Sequence, residues 1–384
     1  YYEAGESNEG AAFVFLGSVT GIDSSDAANP DPATGIKADT TLQSNQVGAE
    51  FGESVASAGD INGDGYSDII IGAYRYDAGE TNEGAAFVFL GSVAGIDSSD
   101  TSNPYPVTGI KASATLQPNQ ANSEFGYSVA TAGDINGDGF GDVIVGAYDY
   151  GAGQNGEGAA FIFLGSAVGI ASSDTTNSDP VTGIKAATTL QSNQLDANFG
   201  NSVATAGDIN ADGYDDVIVG AYNYVLGEFN EGAAFIFLGS SAGIASSDAA
   251  NPNFITGIKA DTMLQSNQTD ANFGYSVSSA SDINGDGYSD VVVGCRRYEA
   301  GEAVEGAAFI FQGSATGITS SETTDPDGSG PLNGIGANTT LQSNLVAAFL
   351  GWSVASAGDV NGDGYGDVIV GSPYYSSGET EEGA

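Results

Sequence analysis

Oxygen-bearing side chains recur at alternate positions of one nine-residue segment, Asp60-Ile61-Asn62-Gly63-Asp64-Gly65-Tyr66-Ser67-Asp68. Asp, Asn, Asp and Asp stand at its positions 1, 3, 5 and 9, around a glycine at position 6. Alternate residues of a tight turn point inward. Their carboxylate and carboxamide oxygens, with the backbone carbonyl of position 7, therefore converge on one point. That is the chemistry of a hard divalent cation. Calcium takes six to eight oxygens at roughly 2.3–2.6 Å, whereas magnesium gives up its waters reluctantly to an all-protein cage. Gly65 permits the positive φ that so sharp a turn requires.

The pattern returns four times, so the candidate calcium ligands form five sets. They are Asp60, Asn62, Asp64, Tyr66 and Asp68; Asp134, Asn136, Asp138, Phe140 and Asp142; Asp208, Asn210, Asp212, Tyr214 and Asp216; Asp282, Asn284, Asp286, Tyr288 and Asp290; and Asp359, Asn361, Asp363, Tyr365 and Asp367. The aromatic at position 7 contributes its backbone carbonyl. The third loop carries Ala211 where the others have glycine. About five Ca2+ are expected, one per loop. The loop aspartates repel one another until a cation enters, so metal-binding energy becomes folding energy and a chelator should destabilise the chain. No helical periodicity flanks the loops and no Glu stands at position 12, which argues against an EF-hand and for a β-hairpin.

The loops begin at residues 60, 134, 208, 282 and 359, a period of 74 residues that lengthens to 77 in the last interval. Repeats of this size indicate a propeller, a solenoid or a linear array. Within one repeat, Ser54–Ala58 leads into the loop and Asp68–Tyr76 leads out of it. Gly84–Gly91 follows a Gly/Glu-rich turn, and a weaker run surrounds Thr115-Leu116-Gln117. Four short strands divided by turns argue an all-β chain. In the third strand Phe87 and Phe89 alternate with Ala86, Val88 and Leu90, so both faces are apolar and both need cover. Four-stranded sheets stacked face to face supply it. The stretch from Gly91 to Ala114 reads as an ordered surface excursion, because Ser98-Ser99-Asp100 and Gly109-Ile110-Lys111 recur with the period.

Phe51-Gly52, the calcium loop, Gly72-Ala73-Tyr74 and Gly84-Ala85-Ala86-Phe87, in that order, resemble the FG-GAP repeat of integrin α-subunit propellers and bacterial secreted proteins. The Phe-Gly pair recurs at Phe125-Gly126, Phe199-Gly200 and Phe273-Gly274, but the fifth copy reads Phe349-Leu350-Gly351. The resemblance spans essentially the whole chain. It implies a β-propeller of four-stranded blades, with calcium in the hairpin between the first and second strands. It also implies adhesion or ligand binding more often than catalysis. We expect one repeat domain over residues 1–384, with units at about 1–73, 74–147, 148–221, 222–295 and 296–372 and an overlap at 373–384. Tyr1–Ala11 aligns with Tyr374–Ala384, and the chain begins without Met or a leader, which suggests a processed or excised chain. A closed five-bladed ring, part of a larger array (the favoured reading) and repeats continued across subunits in a fibre all fit.

Composition points outside the cell. Fifty acidic against seven basic residues give a formal charge of −43, which excludes nucleic acid as a natural partner. The lone Cys295 sits where other repeats carry alanine, so it reads as a small buried residue rather than a disulfide partner. No run of about 18 apolar residues exists to span a membrane. With no histidine, every imidazole-based mechanism is excluded, and the chain is read as non-enzymatic. The carboxylates repeat five-fold, whereas an active site usually breaks symmetry. Glu9, Glu83, Glu157, Glu231, Glu305 and Glu382 precede the third strand in every copy and read as structural. Lys37, Lys111, Lys185 and Lys259 read as ion pairs to a neighbouring repeat, with Gly336 in the fifth slot. Tyr74/Tyr76, Tyr148/Tyr150 and Tyr222/Tyr224 read as pairs on one strand face, either packed between blades or forming an aromatic rim. Arg296-Arg297 and Trp352 break the repeat and mark where a specific site would lie. The leading expectation is an extracellular, secreted or surface-displayed calcium-binding module for adhesion, with a protein or glycan ligand. A self-assembling subunit of a fibre or surface layer is the alternative. A calcium-dependent polysaccharide lyase or glycosidase is third.

Overall fold

A computed structural model describes residues 7–22, 25, 36–99, 109–151, 153–174, 176, 183–248, 251, 256–321, 335–376 and 383. The Tyr1-Tyr2 end of the terminal alignment, Asp100 and Glu382 lie outside the described residues. Twenty strands are found among the described residues, and every pairing between them is antiparallel. The chain falls into two compact units, one of Tyr1–Ala130, Phe140–Val143 and Phe163–Ala187, the other of Thr131–Gly139, Ile144–Ile162 and Thr188–Ala384.

In the first unit β1 (Ala12–Val14) pairs with β2 (Thr40–Leu42). A four-stranded sheet comes next, in the order β3 (Ser54–Gly59), β4 (Asp68–Ala73), β5 (Ala85–Phe89), β6 (Ala114–Leu116). The strands β7 (Phe125–Gly133), β8 (Asp142–Ala147), β9 (Ala159–Phe163) and β10 (Thr188–Gln191) form a sheet in the same meander order. Two more such sheets lie wholly within the second unit. One is β11 (Phe199–Gly207), β12 (Asp216–Ala221), β13 (Ala233–Phe237) and β14 (Thr262–Gln265); the other is β15 (Phe273–Ser281), β16 (Asp290–Cys295), β17 (Ala307–Phe311) and β18 (Thr339–Gln342). It ends with the pair β19 (Ser353–Gly358) and β20 (Asp367–Gly371). These meanders are the blades of a β-propeller, each built from one repeat.

The third strand of each blade is buried along its whole length, in β5, β9, β13 and β17 alike, as its two apolar faces require. In the first unit Phe87 and Phe89 join Leu42, Phe51, Ile71, Tyr76 and Ile110 in one cluster. In the second, Phe273 joins Ile218, Ile236, Val293, Phe309 and Phe311 in a cluster drawn from two successive sheets, with its ring packed on Phe309 and Phe311. The joint between repeats is a backbone contact. Gly10 forms a parallel bridge with Phe51, Gly84 with Phe125, Gly158 with Phe199, Gly232 with Phe273 and Gly306 with Leu350. At Gly232 a Cβ would lie 2.2 Å from the Phe273 carbonyl oxygen, which is why no side chain is present there.

Candidate metal centres

The strand entering four of the loops carries a register shift just before position 1, at Ser57/Gly59, Thr205/Gly207, Ser279/Ser281 and Ser356/Gly358. Such bulges bend a strand and re-aim the residues next to them. In the first loop Asp60 Oδ1 accepts the amides of Gly63 at 2.7 Å and Asp64 at 3.1 Å, while Oδ2 accepts that of Gly65 at 2.8 Å. Asn62 Oδ1 accepts the Asp64 amide, and its Nδ2 donates to Asp64 Oδ2, each at 3.0 Å. The Asn-to-Asp bond recurs as Asn136–Asp138, Asn210–Asp212, Asn284–Asp286 and Asn361–Asp363. Positions 1, 3 and 5 are thus brought together in all five loops. The Gly65 amide, above all, holds the Asp60 carboxyl below the usual carboxylate range, and Gly364 does the same for Asp359.

Position 9 lies beneath the mouth. Asp68 is fully buried; its Oδ2 accepts the Ile61 amide at 2.9 Å and its Oδ1 the Gly91 amide at 2.7 Å. Asp216 and Asp290 repeat both bonds, so this carboxylate ties the loop to the end of the third strand. Burial raises the Asp68 pKa against the pull of those amides, and the charges of Asp64 and Asp60 raise it further. Asp216 is pushed up to about 7, chiefly by burial.

Position 7 serves the neighbouring loop. In the first unit the Phe140 ring covers Gly63, where a Cβ would lie 2.8 Å from the ring; in the second, Tyr214 covers Gly137 and Tyr365 covers Gly285. The loops are also joined through the backbone. The Asp60 carbonyl accepts the Gly141 amide at 2.8 Å, and those of Asp134, Asp208 and Asp282 accept Asp215, Ser289 and Gly366.

Among the described residues no three acidic, cysteine or histidine side chains converge as a ready-made metal site. The position-9 aspartate is turned to two backbone amides, and the third donor at the mouth is an asparagine. The donor set nonetheless fits calcium. It is all hard oxygen, and Asp68 and Asp216 are buried facing two more carboxylates each. No lysine or arginine pairs with Asp60, Asp64 or Asp68 among the described residues. Asp60, Asn62, Asp64 and Asp68 with the Tyr66 backbone carbonyl, and their equivalents, would hold the ion.

Other sequence expectations resolve differently. The second strand stops at Ala73, so Tyr74 and Tyr76 lie in the following turn and not on one strand face. Tyr74 donates to Glu50 at 2.6 Å, while Tyr76 packs edge-on against Phe87, as Tyr150, Tyr224 and Tyr298 pack on Phe161, Phe235 and Phe309. These buried rings form no aromatic rim. Two of the lysines turn to their own repeat: Lys111 approaches Asp97 at 3.9 Å, and Lys185 donates to the Ser172 carbonyl at 2.6 Å. Lys37, Lys111, Lys185 and Lys259 instead share φ of 60–64°, a left-handed slot that explains Gly336 in the fifth copy. The glutamates are structural as expected. Buried Glu83 accepts the amides of Ala78 and Glu80, and Glu231 those of Leu226, Gly227 and Glu228. Cys295 is buried, and its Sγ donates to the Ala271 carbonyl.

Arg296, Arg297 and Trp352 come together around one cleft, joined there by Val304, Phe349 and Tyr374. Sequence reasoning misses the last three. The available signal is the irregular Phe349-Leu350-Gly351: Leu350 makes the joint with Gly306, which leaves Phe349 outside the core.

The model of the FG-GAP repeat family matches residues 51–89, 125–163, 199–237, 273–302 and 350–384. Integrin alpha-V of Gallus gallus is 31% identical over 269 residues, covering 67% of this chain and 22% of that protein. Integrin alpha-8 of the same species is 28% identical over 267 residues, covering 68% and 21%. Phosphatidylinositol-glycan-specific phospholipase D of Mus musculus is 28% identical over 183 residues, covering 47% and 19%. The chain thus spans about a fifth of the length of these relatives. Among solved structures, an exotype rhamnogalacturonan lyase aligns over 96% of this chain and 58% of its own, at 13% identity and a TM-score of 0.37, too distant to carry an argument.

Proposed function

The chain is an FG-GAP repeat protein, integrin α-like in its repeats, and on that premise we propose that it is an extracellular ligand-binding module, folded and rigidified by Ca2+ and acting in adhesion. One observation carries the calcium reading. The same three oxygen-bearing side chains are drawn together in five loops, above a carboxylate that in four of them is fully buried. A bound Ca2+ would neutralise the mutual repulsion of these groups. The chain's own amides already hold Asp60, Asn62 and Asp64 in place, so little side-chain ordering is left for the ion to impose. Because the loops are hydrogen-bonded to one another within each unit, stiffening one stiffens the next.

The integrin relatives and the charge of −43, which suits a hydrated surface in salt, support the extracellular reading. Among the described residues no helix is long and apolar enough to cross a membrane. We read the module as non-catalytic. It has no histidine, and its Glu83 series serves backbone amides rather than a cleft. The phospholipase D relative aligns over 19% of its own length.

Native mass spectrometry and light scattering, in calcium and then in EGTA, test the proposal. Five bound Ca2+ with a large loss of thermal stability in EGTA are expected. A chain that binds none, or melts unchanged in chelator, overturns it. Calcium-dependent oligomers would move the reading toward a structural fibre.

A further inference from the structure

The cleft between the fourth and fifth repeats departs from its counterparts at several positions at once. Arg296 stands where repeats one to three have Tyr74, Tyr148 and Tyr222, and Trp352 where the second and fourth have Tyr127 and Tyr275. Val304 replaces Asn82 and Asn230, while Phe349 replaces Glu50, Glu124, Asn198 and Asn272. In two other repeats polar side chains meet in this region. Asn82 donates to Asn122 at 3.4 Å and Asn230 to Asp270 at 3.1 Å. Here it is an open cleft of about 630 Å³, within the range of small-ligand sites.

The backbone shows what these replacements cost. Val304, Ala347 and Phe349 hold φ of 52°, 56° and 56°, in the left-handed region. Asparagine tolerates that region, but a β-branched or bulky residue there is an outlier. Glu50 and Glu124 hold the same φ at the Phe349 position, but Val304 stands where Asn82, Gly156 and Asn230 are, and Ala347 where Asn122, Asp196 and Asp270 are. Strain kept at Val304 and Ala347 points to a use for the apolar surface.

The charges supply the other half. In the first repeat Arg75 is paired with Glu50 at 3.0 Å. The fourth repeat carries Asn272 in place of that glutamate, and Arg296 Nε reaches its Oδ1 only at 3.4 Å. Among the described residues neither Arg296 nor Arg297 has an ion pair. The Arg296 guanidinium lies 3.7 Å from the Tyr275 ring centroid and 4.9 Å from that of Trp352. Aromatic rings take up the faces of a guanidinium and leave its edge N–H donors for an in-plane, two-pronged acceptor. Arg297, exposed alongside, adds a second positive charge on the same wall.

We propose that this cleft binds an acidic sugar residue, its carboxylate on Arg296 and Arg297 and its ring against Trp352 and Tyr374. The proposal deepens the ligand-binding reading above and rests on it. A carboxylate matches the guanidinium edges, and the C–H face of a pyranose matches an aromatic ring. Its remaining hydroxyls stay in water at the open mouth. A peptide strand fits less well, because four backbone amides of the wall are already engaged. The amides of Arg297, Ala347, Phe349 and Trp352 already donate to Ala271, Ala303, Val304 and Phe349. The net charge of −43 disfavours long polyanions, but screening over about 8 Å in physiological salt leaves a single acidic residue able to enter.

Trp352 is the chain's single tryptophan, so its fluorescence reports on the cleft alone. The full chain in calcium is titrated with cellobiouronic acid and with cellobiose, which differ only in the carboxylate. Saturable quenching at least tenfold tighter for the acid is expected, with Arg297→Ala removing the preference. Arg297 is exposed, and an unchanged melting temperature verifies that the variant folds. Equal binding of the two sugars, no saturation, or a preference that survives Arg297→Ala overturns the proposal. Tighter Arg297-dependent binding of an Asp-Phe dipeptide overturns the sugar in favour of a peptide. The calcium count by mass spectrometry is independent of these titrations, so failure here is distinguishable from failure of the calcium reading.

Discussion

Replacing Gly232 by alanine tests the joint between repeats. A Cβ at Gly232 would lie 2.2 Å from the Phe273 carbonyl oxygen, 2.5 Å from its nitrogen and 2.9 Å from the Tyr222 carbonyl oxygen. All three are backbone atoms, so no side chain can swing aside. The residue also holds φ of +78°, which by itself costs an alanine about 1–2 kcal/mol. Gly243 separates the two effects. Its φ is +72°, yet nothing lies within 4 Å of its Cβ position. Gly243→Ala should therefore lose only the conformational ~1–2 kcal/mol. Gly232→Ala must in addition push the two repeats apart and break the bridge to Phe273, a loss above about 4 kcal/mol. Urea unfolding in saturating calcium, with limited proteolysis to find where the chain opens, gives the comparison. New cleavage near Gly232 and Phe273 is expected. Equal destabilisation by the two substitutions would refute the argument that backbone contact at this glycine holds the repeats together.

Asp64→Ala removes a mouth carboxylate and the acceptor of the Asn62 and Tyr66 bonds, so native mass spectrometry should count four Ca2+ instead of five. Burial, most of all, raises the Glu231 pKa in the folded state above its ordinary 4.5, so this group binds protons more readily folded than unfolded. Its contribution is therefore greatest below pH 4.5 and declines as pH rises through the window above it. Glu231→Gln should melt higher than the parent at pH 7, with the gap closing near pH 4; a gap independent of pH counts against the assignment. Tyr74→Phe deletes a 2.6 Å hydrogen bond to buried Glu50 and should cost about 1.5–3 kcal/mol in denaturant melts. A loss under about 0.5 kcal/mol would mean that Arg75 alone satisfies that carboxylate.

The blades and loops are legible in the sequence because their signals are local. Position 1 to position 9 spans a single turn, and Phe87 and Phe89 alternate within one strand. The expectations that fail depend on where an element stops. Tyr74 and Tyr76 share a face only if the strand runs on, but it ends at Ala73, and alternation along the sequence carries no sign of that. The lysine slot misleads because charge draws attention before backbone does; Gly336 is the clue that the position demands left-handed φ. The cleft is half visible. Arg296, Arg297 and Trp352 stand out as departures from the repeat, whereas Phe349 reads as a displaced copy of the Phe-Gly pair. Its true place emerges only from the bridge that Leu350 makes.

The bridges from Gly84 to Phe125 and from Gly232 to Phe273 also set how the molecule answers to force. Each repeat is fastened to the next by such a bridge and by the loop-to-loop amide bond, so a load drawn through the chain falls on these joints in series and not on the whole array at once. A stretched molecule would then yield in instalments, each joint that gives way releasing one repeat. At about 3.4 Å per extended residue, a repeat of 74 residues is a step of roughly 250 Å. A module with that response would dissipate a sudden pull over several ruptures.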